Sequence, residues 1–489
     1  MASHTTHRFS PLDDIIFPVY FAVICGFPCE AAQRPDIHRA LQAGYTLTLE
    51  QFPFLGADID RVPHGDPSQG RAGSLRLQMP GSTPDTSIDV RDLTVPGSGW
   101  THTYAELREA SMPPSWLDPE LLAPCIAGTK VPSRVFDVQI NWIHGGCLLT
   151  MYGAHAAADA GGLATIVEFW AWQCRHVQAS STHVDVDVDV DPSAIFGFGS
   201  HVPALHDLPC SAAEFDRLKS RPELWKLLGL HWEMNLAAPA PGDENNDDAP
   251  ILPTKIPSVV AVPGMRSCIF SITPEAAARL KQDATPPDGN GWVSTNDAIA
   301  ALVWRSVMRA RFPDPASWSR SSIATVTVDG RSLDDLHIPP NYTGNVVFCC
   351  MTETTLTDLV SSTLAETASL IHRNVQTLKT NGSLQTDATR LAASIPDVRR
   401  LAIAFYDSFG DNLVTTSWAG LPFYGVDFGA GLGKPEFVRP PRGQFGGVCT
   451  FLPRRATGGV EVLLNLREGE MERVLGDAEF LRYAETVCG

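Results

Sequence analysis

A stretch rich in proline, asparagine and acidic residues divides this 489-residue chain near its middle. Residues 235–258 read NLAAPAPGDENNDDAPILPTKIPS, a composition with too few apolar side chains to form a packed element. It separates residues 1–234 from residues 259–489, and each part is long enough to bury a core. The sequence therefore predicts two domains of similar size joined by an exposed connector.

Strand and helix patterns alternate in the first part. Residues 135–142, VFDVQINW, alternate apolar and polar side chains, which indicates a strand with one buried face. His144, Gly145 and Gly146 predict a turn, so the following CLLTMYGA is expected to be the partner strand of a hairpin, and the helical stretch LATIVEFWAWQC comes after it. Residues 178–192, which end in a Val/Asp alternation, are expected to form a solvated surface loop, with a calcium site as the minor alternative.

The second part alternates in the same way. Residues 266–272 are strand-like, and Thr-Pro-Glu at 273–275 provides an N-cap, a proline at the first helical position and a carboxylate at the positive end of a helix. Residues 294–311 predict another helix, which begins at a Ser-Thr-Asn-Asp cap, and residues 357–379 predict one more. Interleaved strands and helices assign the chain to the α/β or α+β class.

Composition excludes several classes of function. Thirty-seven basic and fifty-five acidic residues leave a formal net charge of −18, which argues against a nucleic-acid or anionic-membrane binder, because such proteins need a basic face. The sequence has no secretory signal pattern and no apolar run that could span a bilayer, so a cytoplasmic location is expected. The eleven cysteines form no Cys-x-x-Cys or Cys/His pattern, which predicts buried reduced thiols and no metal site.

A histidine inside a run of small residues is the clearest chemical feature. The run YGAHAAADAGG at 152–162 would let a substrate or a second backbone segment approach closely. Neutral imidazole can accept a proton near pH 7, so His155 is a candidate general base. Asp159 follows one helical turn later, where a carboxylate can bind a distant cation and fix the loop. Spacing alone fits a structural histidine equally well.

Three further motif-like segments follow in order along the chain. They are Val-Asp-Gly-Arg at 328–331 with PPNYTGN at 339–345, Thr-Ser-Trp at 416–418 with Pro-Phe-Tyr at 422–424, and DFGAGLGKPEFVR at 427–439. Together with the His-x-x-x-Asp pattern they resemble the motifs of the BAHD-type acyl-CoA-dependent acyltransferases, in particular the fungal branch that is similar to trichothecene 3-O-acetyltransferases. The resemblance extends over nearly the whole chain.

The resemblance implies a fold and a mechanism. It implies two chloramphenicol acetyltransferase-like domains joined by a crossover loop, with a solvent channel between them. Acyl-CoA, most simply acetyl-CoA, would be a co-substrate rather than a tightly bound cofactor, and the acceptor would be a hydroxyl group of an alkaloid, terpenoid or polyketide. His155 would remove the hydroxyl proton for direct attack on the thioester, and Asp159 would pair structurally with Arg331. Ser417 and Trp418 would lie near the oxyanion.

The remaining expectations from the resemblance are less specific. Asp427 and Gly429 would build a turn that stiffens the second domain. Lys434 and Arg439 are basic residues that would reach the phosphates of CoA, although a solvated face explains each of them as well. One chain would contain the complete site, so a monomer would suffice.

Three positions depart from the family pattern. Ala154 stands where condensation domains carry a second histidine, Ala160 replaces the usual glycine after the aspartate, and Ala430 replaces a tryptophan. None of these changes removes the proton-transfer group. Two alternatives stay open at this point: a condensation-like enzyme that takes its acyl group from a carrier protein, and a non-catalytic binding protein of the same fold.

Overall fold

The computed structural model describes residues 9–16, 19–62, 71–78, 86–125, 134–182, 202–208, 210–231, 264–287, 291–333, 336–398, 401–402, 404, 408–429, 431–444 and 446–489. The strands within these residues are β1 (Tyr20–Pro28), β2 (Asp58–Arg61), β3 (Leu75–Gln78), β4 (Asp89–Asp92), β5 (Phe136–Ile143), β6 (Gly146–Ala154), β7 (Met265–Ile272), β8 (Ser321–Asp329), β9 (Val347–Thr355), β10 (Leu413–Ser417), β11 (Phe437–Arg439), β12 (Val448–Phe451), β13 (Val460–Arg467) and β14 (Glu485–Cys488).

Helices alternate with these strands along the chain. They are Pro11–Asp14, Arg34–Gln51, Tyr104–Glu109, Pro119–Leu122, Ala160–Thr182, Pro203–His206, Ala212–Lys219, Pro222–Leu227, Pro274–Asp283, Thr295–Arg311, Leu356–Ser361, Leu364–Thr380, Gly382–Ser394, Glu468–Leu475 and Ala478–Leu481. This mixture confirms the predicted α/β (α+β) class.

Two large sheets organise the fold. The first has the strand order β11-β1-β6-β5-β4, and the second has the order β14-β7-β13-β12-β10-β8-β9. In the first sheet β1 lies between β6 and β11 and is antiparallel to both. Because β11 comes from near residue 438, the sheet of the first part is completed by a strand from the second part.

The hydrophobic cores do not follow the predicted division at residue 234. The core beneath the second sheet includes Leu205 and Trp225 from the first part, and the core beneath the first sheet includes Trp418 and Phe428 from the second. The two parts therefore exchange segments. The polar connector predicted at 235–258 lies outside the described residues, so the domain boundaries stay a prediction.

Strand β5 differs from its prediction in burial. All of its residues are buried, including those on the polar face. Gln139 Nε2 donates to the carbonyl oxygen of Leu121 at 3.0 Å, and on the neighbouring β6 Thr150 Oγ1 donates to that of Leu122 at 2.8 Å. The segment around the helix Pro119–Leu122 therefore covers a face that the alternation pattern assigned to solvent. The predicted hairpin itself is confirmed, since β5 and β6 pair antiparallel.

One helix prediction and one loop prediction were wrong in their bounds. The helix expected over 357–379 is two helices, because Thr363 starts a new one: its side chain accepts from the backbone N–H of Glu366, and Glu366 Oε2 accepts from the backbone N–H of Thr363 at 2.7 Å. Residues 178–182 belong to a helix rather than to a loop. The rest of the predicted loop, residues 183–192, lies outside the described residues.

Other local predictions are confirmed. Thr273 and Ser294 cap the helices that follow them, as their sequences predicted, and residues 266–272 lie within β7. All eleven cysteines are free thiols and nine are buried. Within the part of the chain that the structure describes, no helix is long and apolar enough to cross a membrane.

Candidate active site

His155 directly follows the last residue of β6, next to a tight turn of small residues. The N–H groups of Ala157 and Ala158 both donate to the carbonyl oxygen of Ala154, at 2.8 and 3.0 Å, so the chain curls immediately after the strand. The backbone N–H of His155 donates to the carbonyl oxygen of Val19 at 2.7 Å. The imidazole is therefore presented from a backbone that is fixed on both sides.

His155 is a partly exposed residue, and the environment of its imidazole favours the neutral form. Burial lowers the pKa of His155 below its ordinary value, although its own backbone carbonyl, Asp159 and Asn345 each offset part of this effect. The ring nitrogen Nδ1 is enclosed and has no hydrogen-bond partner among the described residues. The ring of Phe21 packs against the imidazole with centroids 5.3 Å apart. A neutral imidazole is the state that a general base requires.

Asp159 and Arg331 form the predicted ion pair. The guanidinium donates from Nη2 to Oδ1 of Asp159 at 2.9 Å and from Nη1 to Oδ2 at 3.0 Å, and both side chains are almost completely buried. The carboxylate also accepts from the backbone N–H groups of Gly162 at 2.8 Å and Val346 at 3.1 Å. Four donors saturate the carboxylate, so Asp159 holds the loop and has no oxygen left to relay a proton.

Arg331 joins the two parts of the chain at this point. Its Nε and Nη2 donate to the carbonyl oxygen of Tyr342 at 2.9 and 2.8 Å, and Nη2 donates to that of Gly344 at 2.9 Å. The charge of Asp159 raises the pKa of Arg331 against the opposing effect of burial. A Cβ on Gly162 would lie 2.0 Å from the carbonyl oxygen of Thr343, so only glycine permits this close approach.

A second link between the parts runs through Asn345 and Asp13. Oδ1 of Asp13 accepts from the backbone N–H and from Nδ2 of Asn345 at 2.7 and 2.9 Å, and Nδ2 also donates to the carbonyl oxygen of His155 at 2.8 Å. Burial raises the pKa of Asp13 to about 7 despite these hydrogen bonds. Sequence reasoning quoted Asn345 only as part of a motif and missed Asp13. The available signal was the Ser10-Pro-Leu-Asp13 capping box.

Trp418 directly follows Ser417, the last residue of β10, and its ring lies near the same region. Trp418 packs in the core of the first sheet, with its ring centroid 6.3 Å from that of Phe21, which in turn contacts His155. The backbone N–H of Trp418 is already bonded to the carbonyl oxygen of Phe451 at 2.8 Å. Ser417 is partly exposed at the end of its strand.

The segment that begins at Asp427 is a turn, and the described contacts give it a structural role. Asp427 Oδ1 accepts from the backbone N–H of Gly429 at 2.8 Å, and Gly429 has a φ of +86°. Arg175 donates to the carbonyl oxygen of Asp427, and Gln178 Nε2 donates to that of Phe428 at 2.9 Å. The turn therefore fastens the second part of the chain to the helix Ala160–Thr182.

The chain is similar to known acetyltransferases over nearly its whole length. Residues 19–174 match the family model of the trichothecene 3-O-acetyltransferase-like N-terminal domain, and residues 265–481 match that of the transferase family. Eremophilane O-acetyltransferase prx11 of Penicillium rubens is 34% identical over 98% of both chains. Trichothecene 3-O-acetyltransferase TRI101 of Fusarium sporotrichioides is 26% identical over 96% of this chain and 95% of its own.

The chain belongs to the fungal O-acetyltransferases of the BAHD type. It is an acyl-CoA-dependent O-acyltransferase. The crystal structure of F. sporotrichioides TRI101 complexed with coenzyme A and T-2 superposes with a TM-score of 0.72 at 23% identity, over 98% of this chain and 99% of that one. Vinorine synthase superposes with a TM-score of 0.57 at 15% identity, over 99% and 95%. These likenesses confirm the predicted two-domain fold.

The predicted CoA-binding cations of this O-acyltransferase differ in accessibility. Lys434 is exposed and forms no ion pair with the described residues. Arg439 is fully buried and donates from Nη1 to Oε2 of Glu461 at 2.7 Å, a pairing that raises the pKa of Arg439 against burial. An enclosed guanidinium with its own counter-ion is not accessible to a phosphate, so the structure argues against the prediction for Arg439 and leaves that for Lys434 standing.

Proposed function

We propose that this O-acyltransferase transfers an acetyl group from acetyl-CoA to a hydroxyl group of a terpenoid alcohol, with His155 as the general base. The acceptor class rests on two relatives named eremophilane O-acetyltransferase, from Penicillium rubens and Penicillium roqueforti, at 34% and 33% identity over 98% of this chain. The donor rests on the acetyltransferase names of these relatives and on the coenzyme A bound in the TRI101 crystal structures.

The observation that carries the proposal is the state of His155. The residue is partly exposed, the pKa of its imidazole is lowered by burial, and its backbone is held by both parts of the chain. A neutral imidazole at physiological pH can accept a proton from an alcohol as the alcohol oxygen attacks. Asp159 is not available as the base, because its two oxygens accept hydrogen bonds from four donors.

The reaction balances without a covalent enzyme intermediate. His155 Nε2 takes the hydroxyl proton while the acceptor oxygen forms a bond to the thioester carbonyl carbon. The resulting oxyanion collapses, the carbon–sulfur bond breaks, and the thiolate of CoA receives the proton from the imidazolium. Acetyl ester and free CoA are the products, and neutral His155 is restored.

The oxyanion requires a hydrogen-bond donor, and we propose the hydroxyl of Ser417. Trp418 is the weaker candidate, because its backbone N–H is bonded to Phe451. A positioned donor of this kind is typically worth about 3 kcal/mol of transition-state stabilisation. We place the phosphates of CoA near Lys434, and we propose that a channel between the two domains brings donor and acceptor to His155 from opposite mouths. We propose that one chain contains the whole site and acts as a monomer.

The test is transfer from labelled acetyl-CoA to a panel of eremophilane-type and other terpenoid, polyketide and alkaloid alcohols. Wild type should form labelled ester, and His155→Ala should lose at least about a hundredfold in kcat/KM, since general-base catalysis contributes about 10²–10⁴-fold. The matched control is His102→Ala, which removes a partly exposed imidazole that stacks on Trp116. It should retain wild-type kcat/KM.

Other outcomes would overturn the proposal in distinct ways. Product from an acyl-carrier protein but not from acetyl-CoA would favour a condensation-like donor. Ester formation that survives in His155→Ala would remove the histidine from the mechanism. Acetylation of amines alone would leave the base in place but change the acceptor class.

A further inference from the structure

The side chain of Asn345 is oriented by two acceptors at once. Its Nδ2 donates to Oδ1 of Asp13 at 2.9 Å and to the backbone carbonyl oxygen of His155 at 2.8 Å. Both of these partners accept hydrogen bonds. A flip of the side-chain amide would therefore place its oxygen, another acceptor, next to both of them. The amide oxygen of Asn345 must therefore point the other way.

Two enclosed atoms are left without partners beside this amide. Oδ1 of Asn345 and Nδ1 of His155 are both buried, and neither has a hydrogen-bond partner among the described residues. The two residues are already joined through the His155 carbonyl. One atom is an acceptor and the other becomes a donor when it carries the proton, so a hydrogen bond between them would satisfy both. Catalytic hydrogen bonds are often long in a structure without substrate and tighten when it binds.

Asp13 anchors this arrangement from the amino-terminal segment. Its Oδ1 also accepts the backbone N–H of Asn345 at 2.7 Å, and its Oδ2 accepts the backbone N–H of Ser10 at 2.7 Å. Amide and hydroxyl groups surround the carboxylate, and no cation is among the groups that set its pKa. It is thus a buried acceptor whose Oδ1 receives both of its hydrogen bonds from Asn345.

We propose that Asn345, anchored by Asp13, is a positioning residue that selects the tautomer of His155. The amide oxygen accepts the proton on Nδ1, which leaves the Nε2 lone pair free to take the proton of the acceptor hydroxyl. The inference rests on the proposed role of His155 as the base. Asp159 cannot supply this interaction, because both of its oxygens are occupied. Burial lowers the pKa of His155, and the histidine's own backbone carbonyl, Asp159 and then Asn345 offset part of this effect, which agrees with an amide oxygen that faces the ring.

The direct test is the nitrogen NMR spectrum of full-length protein labelled with ¹⁵N-histidine, recorded at pH 8. The His155 resonances are assigned by their disappearance in His155→Gln. Wild type should give the signature of protonated Nδ1 and bare Nε2. The opposite tautomer in wild type would overturn the proposal, whether or not the protein turns over substrate, so this result is independent of the proposed function.

Variants then connect the tautomer to catalysis. Asn345→Ala should shift the His155 population toward protonated Nε2 and lower kcat 10- to 100-fold, while KM for acetyl-CoA stays within about twofold. Asp13→Asn keeps a side chain of the same size but loses the charged anchor, and it should show a smaller change in the same direction. It remains informative if Asn345→Ala folds poorly.

The matched control is Asn465→Ala. Asn465 is equally buried, and its amide bonds to Gln444 and Ser267 within the second part of the chain. This variant should lose stability but keep the His155 spectrum and kcat. If Asn345→Ala behaves in the same way, with tautomer and kcat both unchanged, Asn345 is only a structural residue.

Discussion

Replacing Asp159 with asparagine tests whether the carboxylate is structural or chemical. The substitution keeps the size of the side chain and removes its charge. In the wild type, the carboxylate accepts two hydrogen bonds from Arg331, at 2.9 and 3.0 Å, and one each from the N–H groups of Gly162 and Val346. An asparagine has only one oxygen, so its NH2 group would face at least one donor, and Arg331 would lose its buried counter-ion.

The expected cost follows from these contacts. Breaking a buried ion pair by changing one partner costs about 3–5 kcal/mol. Arg331 keeps a contact with Asp329 at 2.9 Å, but the Asp329 side chain is 49% exposed and compensates weakly. For a domain of this size, each kcal/mol lowers the melting temperature by roughly 2–4 °C. We therefore expect Asp159→Asn to melt at least about 6 °C below wild type.

The assay combines calorimetry with acetyl transfer measured per folded molecule. Asp477→Asn is the control, because it removes a carboxylate that pairs with Arg309 at 2.6 Å within the second part of the chain. It should lower stability without loosening the contact around His155, so kcat/KM should persist. An Asp159→Asn protein that melts within 1 °C of wild type yet has lost transfer would refute the structural role, since the carboxylate would then act in the chemistry.

The remaining predictions concern the base, the close contact and the donor. Because burial lowers the pKa of His155 and the neutral ring is the base, kcat/KM should rise with pH and be half-maximal below pH 6.5; a midpoint above pH 7 would contradict this. Gly162→Ala brings a Cβ within 2.0 Å of the Thr343 carbonyl oxygen and should cut soluble yield severalfold, whereas Gly420→Ala, with nothing within 4 Å, should not; equal yields would refute the packing argument. Lys434→Ala should raise KM for acetyl-CoA severalfold, less so at high salt, with kcat unchanged; an unaltered KM would remove Lys434 from the donor site.

The sequence predicted the parts of the site that depend on local geometry. His155 and Asp159 lie in one short loop, so a few residues set their separation, while their roles were predicted from the family resemblance. The partner of Asp159 could be predicted only from the family resemblance, because Arg331 is 172 residues away. The resemblance supplied the pairing, and the structure contains it.

Sequence reasoning failed where the outcome depends on contacts between distant segments. Asp13 and Asn345 are 332 residues apart, and neither residue type in isolation indicates a partner. Arg439 looked like a phosphate ligand because it is basic and follows the Asp-Phe-Gly segment, but the packing of β11 beside Glu461 buries it. The polar face of β5 was likewise assigned to solvent because the covering segment is not adjacent in sequence.

The histidine of this site has to satisfy two opposing demands. Its imidazole must be buried enough to stay neutral, and it must still be accessible to both an alcohol and a thioester. The protein meets them by holding His155 through its backbone, whose N–H bonds to Val19 and whose carbonyl accepts from Asn345. The ion pair of this loop joins Arg331 to Asp159, which lies one helical turn after His155 in the sequence. The loop is thus fixed without a counter-ion against the imidazole, which would raise its pKa and favour the protonated form that cannot act as a base.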